Sequence, residues 1–178
     1  MGRGDDGVMR PWLLLDVDGP LNPYAAPWFR LGRPSAGYAF HHLTLGVGRS
    51  YRVALNPTHG AWLRDLSTAV DLAWATTWRD EANRLIAPVL GLPTDLPVIP
   101  LGVPSPGFPT YGWKTDQVAA WVGDRPFVWF DDEITDATRE RLATTAGLGP
   151  HLARFVAPDV GLTPPDIEAV RGFAATRG

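Results

Sequence analysis

At 178 residues, 45% of them hydrophobic and eight of them tryptophan, the chain can bury one substantial core and is too apolar for intrinsic disorder. A formal net charge of −3 excludes the global basic field that wraps long nucleic acid, and the absence of cysteine excludes disulfides and thiolate metal sites. No apolar run approaches the roughly 20 residues that span a bilayer, and the polar start "MGRGDDGVMRPW" has no leader-like apolar stretch, so a soluble, cytoplasmic protein is expected.

Residues 1–10 read as a flexible N-terminal tail, and 11–178 as a single domain without repeats. "WLLLD" (12–16) is a short apolar run of the kind that forms a buried strand. "YAFHHLTLGVGRSYRVALN" (38–56) reads as a hairpin around Gly-Val-Gly. Helical spacing over 58–69 puts Trp62, Leu63 and Leu66 on one face, and "VDLAWAT" (70–76) is the next strand. A helix over 78–90 is closed by Gly91 and Pro93, and "LPVIPL" (96–101) is a short third strand. After a Pro/Gly-rich loop come a helix (114–122), a fourth strand "FVWFDD" (127–132) and the helix "ITDATRERLATTA". A fifth strand (153–157) and a terminal helix capped by Thr163 complete the chain. Strands alternating with helices predict an α/β, Rossmann-like three-layer sandwich with a mainly parallel five-stranded sheet and a small β-hairpin flap.

In such sheets ligands bind at the carboxyl ends of the strands. The polar residues there are Asp16 and Asp18, Thr76 and Thr77, and Asp131 and Asp132, with Lys114 at the start of a helix. Crowded carboxylates repel unless a cation neutralises them, and an all-oxygen donor set suits Mg²⁺, here through Asp16, Asp18, Asp131 and Asp132. Lys114 and the metal would draw in a phosphoryl group. Asp16 can attack it as nucleophile, Asp18 can serve as acid and then base, and Thr76 can donate to a phosphoryl oxygen. A turn at Gly19 lets backbone N–H groups approach the phosphate. Lys114 is the only lysine, against fifteen arginines, and an ammonium is not interchangeable with a guanidinium.

The order of these motifs resembles the haloacid dehalogenase (HAD) superfamily of phosphohydrolases. "DVDG" (16–19) matches the family's D-x-D-G, "WATT" its strand-final Thr with Thr76 favoured and Thr77 as helper, Lys114 its lysine, and "WFDDE" its terminal acid pair. The resemblance implies a Mg²⁺-dependent phosphomonoester hydrolase working through an aspartyl-phosphate, and the second aspartate is the mark of the phosphatases rather than the dehalogenases. Pro20 departs from the pattern by removing one N–H. The acid pair reads either as Asp131–Asp132 or as the spaced pair Asp132 and Asp136. About forty residues separate the second motif from Lys114, too few for a large cap, so a capless member is expected with the 38–56 hairpin as its flap.

No Asp or Glu occurs from Gly19 through Arg64, a stretch that holds Arg49 and Arg52 among aromatic residues. That composition suits a nucleotide or nucleic-acid end, bound through phosphate contacts and base stacking. Trp78 and Asn83 begin the helix leaving the second motif and are further candidates to line the pocket. "LNP" after the first motif and "WATTWRDEAN…LGLP" are similar to the HAD group found with bacterial RNA-repair proteins. The expected partner is therefore a phosphorylated small molecule or nucleic-acid end, with no membrane and no stable long nucleic-acid complex. A HAD-fold phosphotransferase or a nonhydrolytic phospho-acceptor would share these motifs. Receiver domains use similar residues in a different order, with a lone Asp mid-chain before Thr and Lys.

Overall fold

The first strand, β1 (Trp12–Leu15), sits at the centre of a four-stranded parallel sheet. The computed structural model describes residues 9–46, 48–102 and 112–176, apart from the side chain of Arg49. β1 pairs on one side with β4 (Asp71–Trp74) and on the other with β5 (Phe127–Asp131), and β6 (His151–Phe155) lies beyond β5. The sheet explains why these strands read as unbroken apolar runs. Leu13 and Leu15, Leu72 and Trp74, and Val128 and Phe130 point into one core, whereas Leu14, Ala73, Phe127 and Trp129 point into another. A strand buried on both faces has no polar side to alternate with.

Two helical layers cover those faces. Helices α2 (Pro57–Leu66), α3 (Ala87–Leu90) and α6 (Pro164–Ala175) bring Leu63, Leu90 and Val170 to the first core. Helices α4 (Trp113–Val122) and α5 (Asp136–Thr144) bring Val118 and Leu142 to the second. Local chemistry sets their starts. Asn56 accepts from Thr58 N–H before Pro57 opens α2, Thr135 and Thr138 cap α5 reciprocally, and Asp166 accepts from both the N–H and the hydroxyl of Thr163 ahead of α6.

Three segments differ from the sequence reading. The segment 96–101 makes a single bridge, Val98 to Trp74, so the sheet has four full strands rather than five. Pro97 and Pro100 cannot donate to a ladder, which limits this edge to the bonds around Trp74. The expected helix 78–90 is broken: Arg79 adopts φ 51°, Ala82–Ile86 form a π-helical turn, and only then does α3 begin. Pro88 has no N–H to return to Arg84, and Ala87 N–H reaches back five residues to Ala82 instead. A one-turn helix, α1 (Pro27–Arg30), stands where no element was expected.

The hairpin forms where its alternation predicts, from β2 (Ala39–Leu45) and β3 (Arg49–Leu55), as a separate two-stranded sheet. Among the described residues between β1 and α2 only α1 and this hairpin form regular elements, so no large cap is built there. Residues 1–8 of the expected tail lie outside the described residues. Among the described residues no helix is long and apolar enough to cross a membrane.

Candidate active site

The chain passes from β1 to β4 on one side and later returns to β5 on the other. The sheet order therefore reverses between β1 and β5, and a crevice opens at their carboxyl ends. Asp16 follows β1 directly and Asp131 is the last residue of β5, with the Asp16 N–H bonded to the Phe130 carbonyl at 3.0 Å. Both carboxylates are buried.

Lys114, in the first turn of α4, joins them. Its Nζ donates to Asp16 Oδ2 at 2.6 Å and to Asp131 Oδ2 at 2.9 Å, and Glu133 Oε2 lies 3.2 Å away. The lysine is only 5% exposed. Burial alone would discharge it, but the charges of Asp16 and Asp131 and their hydrogen bonds outweigh burial and hold it firmly protonated. Asp131 is raised well above the usual carboxylate range, by burial first and then by the charge of Asp16. Three carboxylates, Asp16, Asp131 and Glu133, surround this one ammonium, so the site carries more negative charge than its own cation covers.

Oxygens of Asp16, Asp131 and Asp132 lie within 4.8 Å of one another. The group is all-carboxylate, largely buried and under-neutralised, which is the donor chemistry of a hard divalent cation. Both members of the 131–132 pair belong to this group. Asp136, the other half of the spaced alternative, is exposed and pairs with Arg139 at 2.8 Å, away from the cluster. The Asp18 side chain is not part of the group either.

Asp18 is gripped from two sides instead. Oδ1 accepts from Asn22 Nδ2 at 2.8 Å and Oδ2 accepts from Trp78 Nε1 at 2.9 Å. Burial raises its affinity for a proton, and the two hydrogen bonds oppose this only in part. Asn22 Oδ1 in turn accepts from Ala54 N–H on β3 at 2.9 Å, so one amide ties Asp18 to the hairpin.

Gly19 allows the turn between these aspartates and the rest of the rim. Its φ is +84°, and an added Cβ would stand 2.6 Å from Asp132 Cβ, so both backbone and space require glycine. Thr76 is fully buried, and its hydroxyl accepts from Trp78 N–H at 3.3 Å; a hydroxyl that accepts one bond can still donate another. Thr77 lines the open cleft.

That cleft has a volume of about 410 Å³ and reaches from Asp16, Asp18 and Lys114 to Tyr24, Tyr51 and Arg52. Trp78, the donor to Asp18, lines an adjoining pocket with Asp18, Tyr51 and Arg52, and its ring lies 5.9 Å from that of Tyr51. Arg52 stands on the cleft wall, whereas the side chain of Arg49 lies outside the described residues. Asn83 corrects the sequence reading. Its amide oxygen accepts from Trp74 Nε1 and its amide nitrogen donates to the Leu96 carbonyl, both at 2.8 Å, so it secures the sheet edge and does not line the cleft.

Three residues of the site were not singled out by the sequence. Asn22 sits in the quoted "LNP" and Glu133 ends the quoted "WFDDE", so the local signal was present without an assignment. Tyr24 donates from its hydroxyl to Asp132 Oδ2 at 2.8 Å across 108 positions, a contact that no local pattern encodes.

A family model described as the HAD domain in Swiss Army Knife RNA repair proteins matches residues 12–167, nearly the whole described chain. No curated protein and no solved structure shows a significant match.

Proposed function

This chain belongs to the HAD superfamily, in the group of HAD domains of RNA-repair proteins, and from that premise we propose that it is a Mg²⁺-dependent phosphomonoesterase acting on exposed phosphate, above all at a nucleotide or nucleic-acid end. The observation that carries this reading is the Lys114 ammonium bridging Asp16 and Asp131 at 2.6 and 2.9 Å, with Asp18 two residues away in the same cleft.

Asp16 is the nucleophile. One of its carboxylate oxygens bonds to phosphorus as the bond from phosphorus to the leaving oxygen breaks, leaving an aspartyl-phosphate. Asp18 gives its proton to the leaving oxygen in that step, a role suited to a carboxyl whose affinity for a proton is raised by burial. Asp18 then takes a proton from the water that attacks phosphorus, and the bond to Asp16 breaks. Phosphate leaves, with Asp16 ionised and Asp18 protonated as at the start. Lys114 and the hydroxyls of Thr76 and Thr77 face the charge on the phosphoryl oxygens. Mg²⁺ held by Asp16, Asp131 and Asp132 would supply the positive charge that lets a phosphate dianion approach these carboxylates.

The test is phosphate release with and without Mg²⁺ from an aryl phosphate and from oligonucleotides phosphorylated at either end. Turnover that needs the metal and disappears in Asp16→Asn is expected. Metal-independent turnover, or full activity in Asp16→Asn, would overturn the reading.

A further inference from the structure

Beyond the phosphate centre the cleft runs under the hairpin, where Tyr24, Phe29, Tyr51 and Arg52 line it. Arg52 is held in place there. Its guanidinium carbon lies 4.8 Å from the ring centre of Phe29 and 4.9 Å from that of Phe40, and Nη2 donates to the Phe29 carbonyl at 2.8 Å. A guanidinium seated on two rings has given up much of its rotamer freedom before any ligand arrives. Among the described residues no carboxylate pairs with it.

A second cavity of about 530 Å³ shares Thr77 and Trp113 with the cleft and is walled in part by Leu45 and Gly46 at the hairpin tip. An extended anion leaving the phosphate centre thus has two directions open to it. The second cavity is walled by Asp80 and Glu81 as well as Arg79. The cleft instead carries Arg52, within a stretch, Gly19 to Arg64, that contains no acid. Charge selects the direction of Arg52.

We propose that Arg52 is a second anion subsite, which binds the phosphate next to the phosphomonoester attacked by Asp16, while Tyr51, 40% exposed on the same cleft wall, offers a face to the adjoining base. This rests on the phosphomonoesterase reading and narrows it. The substrate carries a second phosphate one sugar away, as a nucleoside 3′,5′-bisphosphate or a strand end does, and a lone monophosphate is a poor substitute. The guanidinium fork matches phosphate geometry and its seat keeps the fork aimed.

Binding tests this without turnover. In Asp16→Asn protein with Mg²⁺, tryptophan fluorescence would follow titration with adenosine 3′,5′-bisphosphate, with the 3′- and 5′-monophosphates, and with a terminally phosphorylated dinucleotide. The bisphosphate is expected to bind about tenfold more tightly than either monophosphate, an advantage that shrinks with added salt. Arg52→Gln on the same background should cut the advantage below about threefold, and Arg52→Lys should keep part of it. An advantage for the dinucleotide as well identifies a strand end, and for the bisphosphate alone a small molecule. Equal affinity for bisphosphate and monophosphates, or an advantage that survives Arg52→Gln, overturns the subsite. Aryl phosphate turnover by the wild-type protein is measured separately. Its absence alongside an Arg52-dependent binding advantage would refute the chemistry and leave the subsite standing.

Discussion

Replacing Trp78 with phenylalanine removes one proton donor and little else from the site. The ring stays apolar in a position only 8% exposed, and the backbone N–H that donates to Thr76 is retained. What is lost is the 2.9 Å bond from Nε1 to Asp18 Oδ2, leaving Asn22 as the single anchor on the other oxygen. A hydrogen bond to a carboxylate contributes about 1.5–3 kcal/mol, and roughly 1.4 kcal/mol is tenfold in rate. With one anchor remaining, the lower part of that range is the expectation, a loss of about tenfold in the proposed step where Asp18 delivers its proton. The assay compares kcat/KM for a phosphate ester of a simple alcohol with that for an aryl ester whose leaving group departs without protonation. This ratio reports only the first bond cleavage, before water attacks. The alkyl ester should lose about tenfold and the aryl ester less than about threefold. Equal losses on both esters would mean that Trp78 supports the fold of the cleft and not the proton donor, and the reasoning would fail.

Other expectations follow from the same geometry. Lys114→Met leaves Asp16 and Asp131 buried without their cation, at a cost of about 3–5 kcal/mol; thermal melting should fall by roughly 6–20 °C for a domain of this size, and a change of under ~2 °C would show the pair to be dispensable. Burial raises Asp18, Asp131 and Asp132 above 3.8, so the folded chain holds protons that the unfolded chain has released, and metal-free stability declines as pH rises upward from that value. If Mg²⁺ binds the ionised cluster as proposed, its stabilisation of the melt should be larger at pH 8 than at pH 5, and a pH-independent shift would contradict the assignment of the donor set. His59 is buried between the rings of Trp62 and Tyr38 with Nδ1 unpartnered, and burial lowers it from 6.5 to about 4. Its contribution is complete above pH 6.5 and is lost as pH falls toward 4, in total roughly 3 kcal/mol. The stability of the wild type relative to His59→Phe should therefore fall over that interval as pH drops, and a flat difference would refute the burial argument.

The sheet was legible because strands buried on both faces leave short runs such as Leu13–Leu15 and Phe127–Phe130, bounded by turn residues. The acids were legible for a related reason: an apolar run ending in Asp16 or Asp131 has no packing explanation for its last residue. Segment 96–101 misled because its apolar content suits a strand, while the missing N–H groups of Pro97 and Pro100 decide how much of a ladder can form. Asn83 misled in the opposite sense, since a polar residue near a motif looks functional until both ends of its amide are found occupied. Tyr24 on Asp132 and Asn22 on Ala54 join residues far apart in the chain, and their pairing exists only once the hairpin and the sheet have come together.

The amide of Asn22, shared between Asp18 and the hairpin strand, has a consequence for redesign. Hairpins over an open phosphate centre look like exchangeable parts, to be lengthened or replaced in order to change what the protein accepts. Here the backbone of Ala54 is one end of a two-bond chain whose other end is the carboxyl oxygen of Asp18. Shifting β3 by about one ångström would stretch these bonds beyond useful length, so a graft chosen for a new ligand would also disturb Asp18, the proposed proton donor. Variants selected for altered specificity should therefore lose turnover on esters with poor leaving groups first, and recover it through changes that bring Ala54 N–H back to Asn22.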